Sequence, residues 1–235
     1  MTVVRLRDST DLLKDEARVS GQRLFDVIVA CTGIVLVSPI MFIVALAIWI
    51  DDGPPIFFSQ TRLGQFGRHF RIYKFRKFHK EAGTTGRALT VTGDVRMTRL
   101  GRFLERAKID ELPQLWNILK GDMSVVGPRP ESLVFADCFT GAFGKILDHK
   151  PGIFGPNQAA FRDEGQFYPT GQDPEQFYRD VLFRVKAEED LAYFRKRTLG
   201  ADVGWIIRGV LSVLGLGAPH MLNKAHRGGP RMSAL

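Results

Sequence analysis

The stretch that most constrains the fold of this chain is an apolar run near its N-terminus. Residues 27–50 contain no charged side chain, and a run of about 24 such residues exceeds the roughly 20 that a helix needs to cross a bilayer. We therefore predict a membrane helix rather than a buried helix of a soluble core. Basic residues flank the run on both sides, so the positive-inside rule gives it no orientation.

Ser38 and Pro39 stand in the middle of this run. Proline removes one backbone hydrogen bond and bends a helix, and the Ser38 hydroxyl is a predicted partner for the carbonyl that is freed. Physical reasoning alone leaves two arrangements open. One is a kinked spanning helix, and the other is a re-entrant hairpin whose two ends lie on the same face of the membrane.

The charge of the chain indicates an anionic partner. Its 235 residues carry a formal net charge of +8 at pH 7, which suits phosphorylated substrates, an anionic membrane surface or nucleic acid. The basic residues are not concentrated in one nucleic-acid-like helix or tail, and the sequence shows no nucleic-acid-binding motif, so we predict no nucleic-acid partner. The two cysteines give no disulfide framework, and the five histidines lack the spacing of zinc ligands.

Residues 108–131 form the most informative segment outside the membrane, because they carry the adjacent carboxylates Asp110 and Glu111. Pro113 is typical of a first helical turn, so we predict that a helix starts near Asp110. Its dipole would favour an approaching phosphate, although acidic residues at a helix start are also common as simple caps. The predicted buried face of this helix consists of Leu112, Leu115, Trp116 and Leu119.

Shorter elements follow from local patterns. Residues 56–60 and 70–76 are predicted strands, and the second of them alternates apolar and basic side chains. Residues 135–147 are predicted to form a helix. A further helix is expected to begin at Pro174, in the first helical position, and to run to about Lys196 with mostly solvated charges.

Three motifs in the central segment resemble those of the bacterial sugar transferases. These are monotopic phosphoglycosyl transferases, which begin glycoconjugate assembly on a polyprenol phosphate. The motifs are Asp110-Glu111-Leu112-Pro113-Gln114, Lys120-Gly121-Asp122-Met123-Ser124 and Gly127-Pro128-Arg129-Pro130. Tyr73-Lys74-Phe75-Arg76 is similar to the family's active-site strand, and residues 150–158 resemble its Pro-Gly-Ile segment. The resemblance covers about residues 20–215.

The resemblance implies a reaction in which a nucleotide sugar, expected to be a uridine diphosphate sugar, gives its sugar-1-phosphate to undecaprenyl or another polyprenol phosphate. Asp110 is the expected nucleophile, which forms a covalent aspartyl phospho-sugar, and Glu111 is the expected ligand of Mg²⁺. The lipid-linked product would start an exopolysaccharide or another glycoconjugate. The alternative is a catalytically inactive membrane-bound scaffold of polysaccharide assembly.

The substrate contacts implied by the resemblance are mostly basic, because arginine and lysine both suit phosphate oxygens. They are Lys74, Arg76, Arg99, Arg106, Gln114, Pro128, Arg129 and Pro130. Glu105 stands where the family commonly has a basic residue, and Arg106 is the expected replacement for that contact. A solvated basic strand is the alternative interpretation of the segment that contains Lys74.

The predicted architecture is a helix-rich α/β fold with short strands. The resemblance selects the re-entrant hairpin for the membrane segment, which places a small catalytic domain on the cytoplasmic face of the bacterial inner membrane. The predicted divisions are a surface segment (1–22), the re-entrant helix broken at Ser38-Pro39 (23–52), the catalytic domain (53–200), an interfacial amphipathic helix anchored by Trp205 (201–218) and a basic disordered tail (219–235). The expected partners are the nucleotide-sugar donor, polyprenol phosphate and membrane lipids, and a homo-oligomer is left open.

Overall fold

The computed structural model describes the backbone of residues 9–82, 89–90, 93–162, 164–213 and 216, and the side chains from residue 20 onward. The predicted tail, residues 219–235, lies outside the described residues. Helices and 3₁₀ turns dominate the described part, and its four strands are short. This confirms the predicted helix-rich α/β class.

The first helix, α1, covers Ser9–Asp52 and includes Pro39. Pro39 has no N–H to bond the Val35 carbonyl, and the Ser38 hydroxyl donates to that carbonyl oxygen instead, at 2.9 Å. The predicted partner of the freed carbonyl is thereby confirmed. Because this bond replaces the missing one, the helical backbone continues through the Ser38-Pro39 step, where a break had been predicted. A hairpin at this step stays a proposal.

Strands β1 (Phe57–Leu63) and β2 (His69–Phe75) form an antiparallel hairpin in which Phe57 pairs with Phe75. Both strands lie close to their predicted positions, because their alternating pattern is local and strong. Ile72 and Phe75 are buried in the core, and the hairpin carries Lys74 between them.

Helix α2 (Arg99–Ala107) ends at Lys108, which adopts a left-handed conformation with φ 56°. A 3₁₀ turn over Ile109–Glu111 follows, and helix α3 (Gln114–Lys120) comes next. The α-helix therefore begins four residues later than predicted, and the two acidic residues lie in the tighter turn that leads into it. Gly121 closes α3 with φ 87°, a conformation that glycine adopts without strain.

The buried face of α3 differs from the predicted one. Trp116 is 56% exposed, and the three predicted leucines are only partly buried. The buried residues of this helix are Gln114, Asn117 and Ile118. The Asn117 side chain accepts a hydrogen bond from the Tyr73 N–H at 3.0 Å and donates one to the Arg71 carbonyl at 2.7 Å. These bonds to β2 satisfy a buried amide and turn the helix toward the strand.

Strands β3 (Ser124–Val126) and β4 (Gly152–Phe154) pair in parallel. A Cβ atom on Gly127 would lie 2.1 Å from the Lys150 carbonyl oxygen, so only glycine fits between the two segments. A Cβ atom on Gly152, in the Pro-Gly-Ile segment, would likewise lie 2.1 Å from the Gly127 nitrogen, so the two backbones are in close contact there. The predicted helix over residues 135–147 is instead two 3₁₀ segments, Leu133–Cys138 and Gly141–Asp148.

The C-terminal part of the described chain is helical. It contains α4 (Pro156–Ala160), α5 (Pro174–Phe177), a π-helical turn (Tyr178–Leu182), α6 (Phe183–Phe194) and α7 (Leu199–Val213). The helix predicted from Pro174 is confirmed in its extent. The prediction that its charges are mostly solvated is wrong for Lys186 and Asp190, which are buried in the described structure.

Asp190 gives a prediction about stability. Burial raises the pKa of Asp190 to about 8, with the nearby ammonium of Lys186 opposing that rise. Because the folded-state pKa lies above the unfolded value, the stability that the neutral carboxyl contributes is lost as the pH rises toward 8. Asp190→Asn should therefore raise the thermal midpoint at pH 8 by about 2–4 °C and flatten its dependence on pH.

Thermal unfolding between pH 5 and pH 9 measures this effect. The control is Asp180→Asn, which removes an exposed carboxylate from the preceding turn and should leave the pH dependence of the midpoint unchanged. A midpoint of Asp190→Asn that follows the wild-type pH dependence would contradict the assigned protonation.

Candidate active site

The candidate site lies where β2, the 3₁₀ turn before α3 and the segment after β3 meet. The Lys74 ammonium lies 2.7 Å from Glu111 Oε1, and the Arg129 guanidinium lies 3.9 Å from the same oxygen. Two cations thus approach one carboxylate. Lys74 points inward, so the alternative of a solvated basic strand is wrong for this residue.

Asp110 is almost enclosed, with 2% of its surface exposed. Its Oδ1 atom is buried and has no hydrogen-bond partner in the described part of the chain. A buried oxygen without a partner is costly. The arrangement therefore suits a ligand that supplies a partner when it binds, and this ligand reaches Asp110 only after neighbouring side chains move.

The two adjacent carboxyl groups differ in acidity. Burial raises the pKa of Asp110, and the Glu111 charge adds to this rise while Lys74 opposes it. Burial acts in the same direction on Glu111, but the charges of Lys74 and Arg129 outweigh it and hold the pKa of Glu111 well below its ordinary value. The pKa values of the two carboxyl groups are therefore shifted in opposite directions. Glu111 keeps a stable negative charge, and Asp110 is the carboxyl group that is suited to form a new bond.

Arg76 has other partners than the predicted phosphate. Its guanidinium donates to the carbonyl oxygens of Asp52 and Gly53, at 3.2 and 2.7 Å, and lies 3.1 Å from the Asp52 carboxylate. The Arg76 side chain is buried against the end of α1. It therefore joins α1 to β2, and a phosphate contact from Arg76 finds no support in this arrangement.

Arg99 and Arg106 are both exposed. The backbone carbonyl of Arg106 accepts a hydrogen bond from the Arg162 guanidinium at 2.9 Å. Neither guanidinium, of Arg99 or of Arg106, bonds to another segment within the described residues. Glu105 forms an ion pair with Lys77. The structure thus does not bring Arg99 or Arg106 to the pair of Asp110 and Glu111, which we call the dyad, and their contacts with substrate stay predictions.

The remaining predicted contacts surround Arg129 and α3. Pro128 is buried, and its carbonyl accepts a hydrogen bond from the Gly152 N–H at 2.9 Å. Pro130 follows Arg129, so prolines restrict the backbone on both sides of the guanidinium. Gln114 is buried at the start of α3. Direct contact of these three residues with substrate stays a prediction.

Two residues near the dyad were not singled out from the sequence. Lys108 is partly buried in its left-handed conformation, and burial lowers the pKa of its ammonium despite the neighbouring charges of Glu111 and Asp110. Asn117 holds α3 against the backbone of β2, the strand that carries Lys74. Lys108 stands out by its left-handed conformation and Asn117 by its burial. The hydropathy pattern of the sequence predicts neither feature.

The family resemblance implies Mg²⁺, and the side chains present fit a site that is completed by substrate. The described residues contain no group of three or more potential metal ligands. However, Mg²⁺ commonly takes one or two carboxylates and completes its shell with water and substrate phosphates. Glu111 is the residue that would hold it. Its Oε1 faces Lys74 and Arg129, which leaves Oε2 for the ion.

These features define a protein with a long apolar helix and a buried carboxylate pair between cations, a site suited to phosphate chemistry. The chain belongs to the bacterial sugar transferase family, whose sequence profile matches residues 17–215. The resemblance noted from the motifs is thereby confirmed.

Several named relatives align with most of this chain. A protein of Aeromonas hydrophila named UDP-N-acetylgalactosamine-undecaprenyl-phosphate N-acetylgalactosaminephosphotransferase is 35% identical over 201 residues, which are 84% of this chain and 44% of that protein. A UDP-glucose:undecaprenyl-phosphate glucose-1-phosphate transferase of Xanthomonas campestris pv. campestris is 35% identical over 212 residues, 86% of this chain and 40% of that protein.

A relative of the same name in Caulobacter vibrioides is 34% identical over 196 residues, 82% of this chain and 69% of that protein. The chain thus spans less than half the length of the first two relatives and about two thirds of the third. Their names specify different sugars, so the similarity does not select one.

Proposed function

We propose that this protein transfers a sugar-1-phosphate from a uridine diphosphate sugar to undecaprenyl phosphate and so begins the synthesis of an exopolysaccharide or another glycoconjugate. The observation that carries the proposal is the Asp110–Glu111 pair beside Lys74 and Arg129, in a family whose relatives are named for this reaction. An inactive scaffold is less well supported, because the buried, unpartnered Asp110 oxygen is costly to retain without a ligand.

Donor binding begins with an exchange of partners. Lys74 and Arg129 are positioned to neutralise a diphosphate, which is the main requirement of phosphoryl transfer. Lys74 then leaves Glu111 for a phosphate oxygen, and this movement opens a path to the enclosed Asp110. A Mg²⁺ ion held by Glu111 would neutralise further charge on the diphosphate.

The chemistry takes place in two steps at Asp110. Its carboxylate oxygen attacks the phosphorus next to the sugar, the bond from that phosphorus to the bridging oxygen breaks, and nucleoside monophosphate leaves with the bonding electrons. The lipid phosphate then attacks the same phosphorus, which releases the Asp110 carboxylate and forms a polyprenol diphosphate sugar. A covalent relay of this kind lets a soluble donor and a membrane acceptor use one site in turn.

The contacts of α1 support a re-entrant arrangement. Near its start, Arg23 donates to the Ile118 and Leu119 carbonyls at 2.5 and 2.6 Å. In addition, Asp26 accepts from the Val125 N–H at 2.9 Å. The start of the apolar run is therefore joined to α3 and β3, the elements next to the candidate site.

The other end of the apolar run is joined to the same domain. Val44 and Ile48 pack in one buried cluster with Phe75, and Asp52 pairs with Arg76. In contrast, the middle of the run exposes large apolar side chains, which include Val35, Leu36, Ile40, Phe42 and Ile43. A spanning helix would separate its two ends by about 30 Å of hydrocarbon. We therefore propose that α1 enters and leaves by the cytoplasmic face of the inner membrane.

Helix α7 presents a second apolar surface. Leu199, Val203 and Ile207 are exposed at four-residue spacing and form one stripe. Trp205, the expected anchor, instead packs edge-on against Tyr193 with ring centroids 5.8 Å apart. The predicted role of Trp205 finds no support in this packing, and we propose that the aliphatic stripe contacts the membrane interface.

Cysteine labelling in oriented vesicles tests the re-entrant arrangement. In a background with Cys31 and Cys138 replaced by alanine, Gly21→Cys and Asp51→Cys place thiols at exposed positions at the two ends of the run. Both should react with an impermeant reagent from the cytoplasmic side only. Reaction of the two positions from opposite sides would establish a spanning helix.

The reaction itself is tested by the release of uridine monophosphate from a panel of uridine diphosphate sugars in the presence of undecaprenyl phosphate and Mg²⁺. Release with at least one sugar, together with formation of the lipid-linked phospho-sugar, is the expected result and names the donor. Binding of the donors without any release would favour the scaffold.

A further inference from the structure

Arg129 adjoins a second group of buried charges that the proposed reaction does not use. We call it the Lys186 cluster, and it consists of Lys186, Glu131, Glu164 and Tyr178. The Lys186 ammonium lies 3.1 Å from Glu131 Oε1, 3.0 Å from Glu164 Oε2 and 2.9 Å from the Tyr178 hydroxyl. Lys186 is 3% exposed, so these three contacts replace its hydration.

Lys186 and Glu164 carry opposite charges at neutral pH. Burial alone would lower the pKa of Lys186, but the charges of Glu131 and Glu164 outweigh it and raise that pKa. Burial alone would raise the pKa of Glu164, but Lys186 and Arg129 hold it at about 2, assisted by a hydrogen bond from the Tyr168 hydroxyl. The 2.6 Å bond from Tyr168 also restricts the Glu164 carboxylate.

Arg129 lies between this cluster and the Asp110–Glu111 dyad, because it lines one small cavity with Glu131, Tyr178 and Lys186 and its guanidinium lies 3.9 Å from Glu111 Oε1. The pKa of its guanidinium is held above its ordinary value because the charges of Glu111, Glu164 and Glu131 together outweigh burial. Charges that are buried without partners are strongly destabilising. Lys74 and Arg129 face Glu111, and Lys186 faces Glu131 and Glu164, so each of these three carboxylates has a cationic partner.

We propose that Glu164 and Lys186 are positioning residues, which hold Arg129 at the place from which its guanidinium binds the donor phosphate. This inference rests on the proposed function. Glu164 comes from the 3₁₀ segment Glu164–Phe167 and Lys186 from α6. Two segments that follow residues 108–131 in the chain therefore set the geometry of Arg129, which lies within that run. Neither side chain needs to touch the substrate.

A double-mutant cycle distinguishes positioning from simple packing. Glu164→Gln keeps an acceptor for Lys186 and for Tyr168 but removes the charge that faces Arg129. It should lower kcat/KM for the donor about tenfold in the wild-type protein. In an Arg129→Lys background the loss should be less than about twofold, because the effects of two substitutions are not additive when one residue acts through the other. Lysine keeps the charge of Arg129 but not its fork of donors.

The matched control is Glu188→Gln on the same helix, α6, where Glu188 pairs at 3.1 Å with the exposed Arg184. It should leave kcat/KM within about twofold of wild type, as surface ion pairs contribute little. Thermal midpoints check that each variant is folded. If Glu164→Gln does not fold, Tyr168→Phe takes its place, and should lower kcat/KM about threefold in the wild-type background only.

An equal loss in both backgrounds, or wild-type kcat/KM in Glu164→Gln, would overturn the positioning role. The same cycle is measured for binding of uridine diphosphate by calorimetry, with the same non-additivity expected in the dissociation constant. Wild-type protein that releases no monophosphate would contradict the proposed function, and the binding cycle would still decide the inference. Additive binding losses, or no binding of uridine diphosphate, would then overturn it.

Discussion

Asp110→Asn is expected to lower turnover by at least about 1,000-fold and to abolish any covalent phospho-sugar adduct, since an amide cannot act as the nucleophile. The substitution conserves shape, and Asp110 is an enclosed carboxyl whose pKa is raised by burial. The neutral variant should therefore fold at least as stably as wild type. Release of uridine monophosphate and the thermal midpoint are measured on the same preparation.

The control is Asp122→Asn, which alters another carboxylate of the same segment. Asp122 pairs with Lys120 at 2.9 Å at the far end of α3, and its variant should keep the rate within about threefold. A folded Asp110→Asn protein that turns over near the wild-type rate would remove Asp110 as the nucleophile.

Removal of divalent cations is expected to have the second largest effect, a loss of more than about 100-fold that Mg²⁺ restores. Glu111 already has its charge compensated by Lys74 and Arg129. The diphosphate of the donor brings additional negative charge, and these two side chains cannot serve both Glu111 and the donor. A divalent ion supplies the missing positive charge.

The experiment compares excess chelator with the same chelator saturated by Mg²⁺, so that any effect of the chelator itself is cancelled. The thermal midpoint should be equal in both conditions, because the described residues form no preformed metal cage. Full turnover in the excess of free chelator would show that the side chains alone neutralise the diphosphate.

Sequence reasoning succeeded where the signal is local. The alternation in β2 predicted the strand but left open whether Lys74 points inward or into solvent, and in the structure Lys74 reaches Glu111 at 2.7 Å. The Ser38-Pro39 pair predicted which hydroxyl would replace the missing bond of proline. Ser38 and its acceptor lie within one turn of the same helix. The pattern that predicts β2 likewise lies within one short segment.

Partners that are distant in sequence were not predictable. Arg76 was expected to bind phosphate, but Asp52 and the Gly53 carbonyl hold it. The sequence predicts Lys186 to be one of the solvated charges of a helix, whereas in the structure it pairs with Glu131, 55 residues away in the chain. The sequence does not show whether a charged side chain faces solvent or a carboxylate from a distant segment. Only the fold distinguishes a solvated charge from a buried ion pair.

The helix-start error has a related cause. The motif correctly predicts that Asp110 and Glu111 lie near the N-terminal end of α3. It does not predict that Lys108 adopts a left-handed conformation. This residue ends α2 and forces a tight turn, in which Asp110 is enclosed. Propensity does not reveal such a turn, because lysine seldom adopts positive φ.

The covalent intermediate is tested most directly by a single-turnover measurement in the absence of any lipid acceptor. Wild-type protein is mixed with excess donor and Mg²⁺, and released uridine monophosphate is counted while the intact mass of the protein is recorded. We expect a burst of at most one monophosphate per protein, with the mass of one phospho-sugar added on the peptide that contains Asp110. Release that begins only when undecaprenyl phosphate is added, with no change in protein mass, would contradict it and indicate direct transfer between the two substrates.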